Sequence, residues 1–148
     1  MRVKNARRPA NESMYAIKTE VADPNARAWL FSDQKTMYGG KKITPGDEVF
    51  IFASENEGGA GLIAVGNVTD SRAVERKAGV DRQTPRVSIA VIRTGTARRR
   101  LGRNELRPFD DWSDGRAETE LNFKFYRQAT NRIVGLSEAA AAFLRSFF

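Results

Sequence analysis

Residues 43–54 read ITPGDEVFIFAS. Pro45 and Gly46 set a turn, and Val49 to Phe52 form a continuous apolar run, the pattern of a strand covered on both faces. Such a strand needs packing partners on either side. Downstream, ENEGGAG (55–61) makes a glycine-rich connection to LIAVGNVTDSRAV (62–74), a strand in which Gly66 marks a bulge or bend, and RVSIAVIRTG (86–95) forms another. Upstream, MYAIKTE (14–20) alternates and is rich in β-formers, so it opens the sheet. DPNARAWLFSD (23–33) places Asp23 and Pro24 as helix start signals and predicts a short helix carrying Trp29, Leu30 and Phe31. Towards the end of the chain, LGRNELRPFDDW (101–112) predicts one helical turn ended by Pro108, and NFKFYRQ (122–128) a further strand. LSEAAAAFLRSFF (136–148) predicts a closing helix with Ser137 as its cap, Glu138 in its first turn and an apolar stripe of Phe143, Leu144, Phe147 and Phe148. Five or six short strands and two or three small helices predict an α+β fold, a curved barrel flanked by short helices.

The chain has 148 residues, 41% of them hydrophobic, which suits one domain with one substantial core. MRVKNARRPANES (1–13) is basic, polar and without apolar periodicity, and is expected to be a flexible arm ahead of a single domain over 14–148. No apolar run approaches the roughly 18 residues of a membrane span, and no secretory leader pattern opens the sequence. A cytoplasmic, monomeric protein without membrane contact is expected. Cysteine and histidine are both absent. Their absence excludes disulfides, thiol nucleophiles, imidazole bases and the usual zinc ligands, so no metal or cofactor site is called for. The net charge of +7 is mostly arginine, whose planar fork suits phosphate, and this favours nucleic acid as the partner. Solubility alone also explains such a balance.

The order of the motifs adds a family likeness. YAIKT, a tryptophan about a dozen residues later, GDEVFIFAS, GLIAVGNV and the closing RQATNRIVGLSEAAAAFL together resemble the PUA-like superfamily, most closely its EVE and YTH branches. The resemblance spans most of residues 14–148 and implies a small curved β-barrel that reads modified bases, methylated adenine in RNA for YTH domains and modified cytosine in DNA for EVE domains. It implies phosphate and pocket-rim contacts for Lys18 and Thr19, a cage tryptophan in Trp29, and a backbone-gripping arginine in Arg127. TDSRAVERKAGVDRQTPR (69–86) lacks the second cage aromatic of the YTH pattern, which argues against methyl-adenine.

The residue types suit that work. An extruded base loses its stacking and must recover it on an aromatic face and through hydrogen bonds along its edge. Trp29 can stack, while Ser54, Gln128 and Asn131 can read an edge; equally, Trp29 can anchor the core, and Gln128 and Asn131 can be satisfied turn residues. Arg98, Arg99 and Arg100 form the strongest charge run, either a solvated loop or a sequence-independent grip on phosphate. An alternative from another class is an amidohydrolase of modified nucleosides. GGKKIT (39–44) is similar to part of the ASCH signature, with Lys42 and Thr44 as candidates, although the arginine expected downstream is missing and a plain turn fits as well. A third reading is a barrel that binds a small molecule or a protein. FDDWSDG (109–115) holds three aspartates but only the start of an EF-hand loop, and reads as an acidic turn.

Overall fold

The computed structural model describes residues 14–81, 83–127 and 130–148. Six strands, β1 (Met14–Thr19), β2 (Ala28–Met37), β3 (Glu48–Ala53), β4 (Gly61–Ala73), β5 (Arg86–Thr96) and β6 (Arg132–Gly135), close into a barrel in the order β1-β3-β4-β5-β2-β6. The pairs β1–β3 and β2–β6 are parallel and the other four antiparallel, so the barrel is mixed. Three short helices, α1 (Arg103–Leu106), α2 (Ala117–Leu121) and α3 (Glu138–Arg145), pack on one flank. The expected α+β barrel with flanking helices is the fold observed.

The doubly covered strand explains how the core is arranged. Val49 and Ile51 point into the barrel beside Tyr15, Ile17, Phe31, Ile89 and Ile133, while Phe50 and Phe52 point outward against Leu106, Leu121, Phe125 and Leu144 of the helical flank. One run of four apolar residues therefore serves two cores, as the side-chain alternation of a strand requires. Gly66 lies at a register shift between β4 and β5, where a Cβ would come within 2.5 Å of the Ile92 carbonyl oxygen, so the bulge requires glycine. Helix α3 buries Ala140, Ala141 and Leu144, and the Ser137 hydroxyl accepts from the Ala140 amide at 3.1 Å as its cap.

Two expectations are corrected. The segment 23–33 is not a helix. Asp23 and Pro24 start a turn, in which the Asp23 carboxylate accepts from the Asn25 amide and its carbonyl from the Ala26 amide. The chain then enters β2, with Trp29 and Phe31 facing inward and Leu30 outward, 72% exposed. Barrel closure overrides the local start signal, because without β2 nothing would pair with β5 and β6 on that side. The segment 122–128 is not a strand either. Helix α2 runs on into a π-helical turn, Asn122–Tyr126, closed by the Arg127 amide on the Asn122 carbonyl at 2.9 Å. Leu121, Asn122 and Phe125 are buried at helical spacing, whereas Phe123 lies outside the core under the Arg127 guanidinium. The alternation of Phe123 and Phe125 thus places them on different faces of a helical turn, and the strand that the segment leads to is the later β6.

Candidate nucleic-acid interface

Strand directions collect the sequence-derived candidates at one end of the barrel. Thr19 ends β1, Ser54 follows the parallel β3, Asn131 precedes the antiparallel β6, and Trp29 lies near the start of β2, which runs parallel to β6. All four positions therefore share an end. A cleft of about 430 Å³ opens there between Thr19, the Asp33–Lys35 bulge of β2, the 3-10 turn at Asn56 and Glu57, Arg86, and Thr130 and Asn131. The bulge is what makes room. Asp33 takes a positive φ of 56°, an uncommon conformation for a residue with a Cβ, and the β2–β5 register shifts between Phe31 and Gln34. The Asp33 amide donates to Ser88 Oγ at 2.9 Å and its carbonyl accepts from Arg86 at 3.0 Å, which holds the loop open.

The polar wall of the cleft is arranged around Glu57. Asn131 Nδ2 donates to its carboxylate at 3.0 Å. The Asn131 amide, with the nearby Ser54 hydroxyl, holds the Glu57 carboxyl below its usual range. Ser54 is 1% exposed and its Oγ makes no hydrogen bond of normal geometry among the described residues, so its share comes from proximity rather than a formed bond. Its backbone is well held: the Ser54 amide donates to the Thr19 carbonyl at 2.8 Å, joining β1 to the turn that carries Glu57.

Next to this wall lies a charge network centred on a buried lysine. Lys18 is fully buried; its Nζ donates to the Phe125 carbonyl at 2.8 Å and sits 4.8 Å from the Tyr126 ring. Burial pushes its pKa down, Glu55 opposes the shift, and Arg103 and Arg132 add to it. The Tyr126 hydroxyl donates to Glu55 at 2.9 Å, and burial together with that carboxylate pushes its pKa well up. Lys18 therefore ties β1 to the π-helical turn, with its ammonium inside the protein.

The remaining candidates divide. Thr19 and Asn131 line the cleft, Ser54 stands behind it, and Gln128 lies outside the described residues. Trp29 is at the same end but does not line the cleft. It stacks on Phe31 at 6.0 Å, carries the Arg93 guanidinium 4.7 Å from its ring centre, and donates its indole N–H to the Asp23 carbonyl at 2.9 Å. Arg127 is exposed, 4.9 Å above the Phe123 ring. Arg98, Arg99 and Arg100 are exposed on the helical flank, Arg99 over Phe147 at 4.1 Å and Arg100 3.4 Å from Glu105. Lys42 and Thr44 lie before β3, at the opposite end of the barrel, where the Thr44 amide donates to Asp47 at 2.9 Å within an ordinary turn. In the acidic loop, Asp111 accepts from Ser113 and Asp114 from Arg116 and Thr119, so both carboxylates brace their own turn. Glu57, Asp33, Lys35 and Arg86 were not singled out from sequence. Glu57 sits in a connection that reads as mere linker, Asp33 is the last residue of a segment that reads as helix, and Lys35 lies just beyond it.

No family model matches this sequence, and no curated protein matches it significantly. Among solved structures, the DUF55 domain of human thymocyte nuclear protein 1 superposes with a TM-score of 0.62 at 15% identity, covering 90% of this chain and 97% of that one. Human THYN1 in complex with DNA containing 5-methylcytosine superposes with the same TM-score at 12% identity, over 91% and 96%. A hypothetical protein from Leishmania major gives 0.57 at 14%, over 93% and 96%. At these identities the likeness is one of fold.

Proposed function

We propose that this protein binds nucleic acid and holds a modified nucleobase, of the modified-cytosine type, in the cleft at the end of its barrel. The observation that carries the reading is the cleft itself, a concave site walled by Thr19, Asn131 and Glu57 in a fold also seen, in human THYN1, bound to 5-methylcytosine DNA. Asn131 offers a donor and an acceptor, and a carboxylate such as Glu57 accepts from an exocyclic amine of the kind cytosine carries. Lys35 and Arg86 on the opposite wall, and Arg127 nearby in sequence, supply charge for the flanking phosphates, in keeping with the net charge of +7. Gln128 remains a candidate for the base edge. Trp29 contributes a stacking face only where Arg93 gives up its place over the ring.

Titration of matched oligonucleotides with cytosine and with 5-methylcytosine tests this reading. Affinity should fall steeply between low and physiological salt, since phosphate contacts release counterions. Asn131→Ala should weaken both oligonucleotides by removing an edge contact that both bases offer while leaving the salt dependence intact, whereas Arg127→Ala should lower the salt dependence by about one phosphate contact. Equal affinity for the two oligonucleotides at every salt concentration would sink the proposal.

A further inference from the structure

We propose that a second groove, between Tyr38, Trp112 and Phe123, is a stacking site for an unpaired nucleotide neighbouring the one in the cleft; this rests on the nucleic-acid reading above. The groove encloses about 310 Å³, enough for one heterocycle, and its aromatic lining is unusually open. Trp112 is 78% exposed and Tyr38 50%. Among the described residues, the Trp112 indole has no ring, cation or hydrogen-bond partner, so its face is unoccupied. Burying such surface is favourable, and every nucleobase presents a flat π-face to do it.

The charge of the groove points to a nucleotide. Arg116 and Lys124 line it, and Arg127 lies over Phe123 at its edge. Glu120 accepts from Lys124 and from the Ser137 amide, both at 2.9 Å, and Lys124 also donates to the Gly135 carbonyl at 2.6 Å and lies 4.9 Å from the Tyr38 ring, so this pair is neutral and the positive charge of the groove comes from Arg116 and Arg127. Asp110, Asp111 and Asp114 flank Trp112, and the bonds that Asp111 and Asp114 accept within their turn do not cancel their charge, so the phosphates of a bound strand would lie on the Arg116 and Arg127 side of the groove. Cations beside an open aromatic platform are the combination that single strands use.

Position supplies the link to the cleft. Residues 33–35 of β2 line the cleft and Tyr38 lines the groove. Tyr38 lies three positions after Lys35, just beyond the end of β2, roughly 10 Å away at about 3.3 Å per residue. A neighbouring nucleotide of the same strand can span that distance. The second wall repeats the arrangement, with Phe123 and Lys124 on the groove and Thr130 and Asn131 on the cleft. Tyr38 also takes a positive φ of 53° just before Gly39, and this turn carries its ring out of the line of the strand.

The experiment compares the wild-type protein, Trp112→Ala and Trp112→Phe on a 5-methylcytosine oligonucleotide with unpaired flanks. The same oligonucleotide is also made with an abasic residue at each flanking position in turn. One abasic position should weaken wild-type binding by about ten-fold, the scale of one lost base stack. Trp112→Ala should weaken the intact oligonucleotide by a similar factor and make that abasic change silent, while Trp112→Phe restores most of the affinity. Unchanged binding by Trp112→Ala, or an abasic cost equal in both proteins, overturns the proposal while the cleft stands. Failure of the wild type to bind any oligonucleotide overturns the reading of the cleft and this one with it.

Discussion

The two tryptophans sit in opposite circumstances. Trp29 is packed between Phe31 and Arg93, and Arg93 is itself held by the carbonyls of Pro24 and Ala26 and by Thr96 Oγ1. Its indole N–H and its ring already have protein partners. Trp112 stands on a loop braced by its own aspartates, with its ring turned to solvent. An aromatic residue flagged from sequence as a stacking platform is thus tied into the structure, and one passed over in an acidic turn has the free face. Availability of a ring depends on what the fold has already placed against it.

Substitutions can break this contrast. The largest effect is expected for Trp29→Ala, about 3 kcal/mol of lost stability, because the ring joins the interior cluster and anchors the 23–26 turn. Denaturant unfolding measures it, and a loss below about 0.5 kcal/mol, the scale of a surface change, would show that Trp29 is no anchor. Next comes Glu120→Gln at the groove floor. Burial alone would raise the Glu120 pKa, but bonds from Ser137 and Lys124 outweigh it and hold the carboxyl below its ordinary 4.5. With the folded value lower than the unfolded one, its contribution is complete above pH 4.5 and disappears as pH falls through the folded value. Glu120→Gln should cost about 2 kcal/mol at neutral pH, the scale of hydrogen bonds to a charged group, and should flatten the acid limb of a stability profile. An unchanged acid limb would refute that assignment.

Smaller effects sharpen the comparison. Arg93→Ala should cost about 1 kcal/mol through the lost cation–π contact and free one face of Trp29. If the variant then binds oligonucleotides more tightly than the wild type, Trp29 is a masked platform; if binding is unchanged, the ring is purely structural. Trp112→Ala should lie within about 0.5 kcal/mol of the wild type in stability, as expected for an exposed residue. A thermal melt that drops by several degrees would mean that the loop depends on its tryptophan.

Several parts of the molecule could be read along the chain because they rest on local pattern. Val49 to Phe52 announces a doubly covered strand, Gly66 a bulge, and Ser137 a helix cap, each from near neighbours in sequence. Thr19 was legible through family likeness, and Ser54 and Asn131 through side chains able to read a base edge, while nothing local shows that the three share an end of the barrel. Glu57 and the Asp33–Lys35 bulge left no comparable signal, because a carboxylate in a glycine-rich connection looks the same whether or not Asn131 meets it.

Composition and short-range pattern on their own determined a basic, histidine-free and cysteine-free chain with four of the six strands and the final helix. That 23–33 is a turn leading into β2 rather than a helix, and that 122–126 is a helical turn rather than part of a strand over 122–128, was decided by tertiary structure. In the first case a closing barrel needed a partner for β5; in the second, Phe125 had to reach Phe52 at 5.1 Å while its carbonyl met the buried Lys18 ammonium. The local preferences there are worth a fraction of a kcal/mol per residue, and the pairing and burial they compete with are worth several.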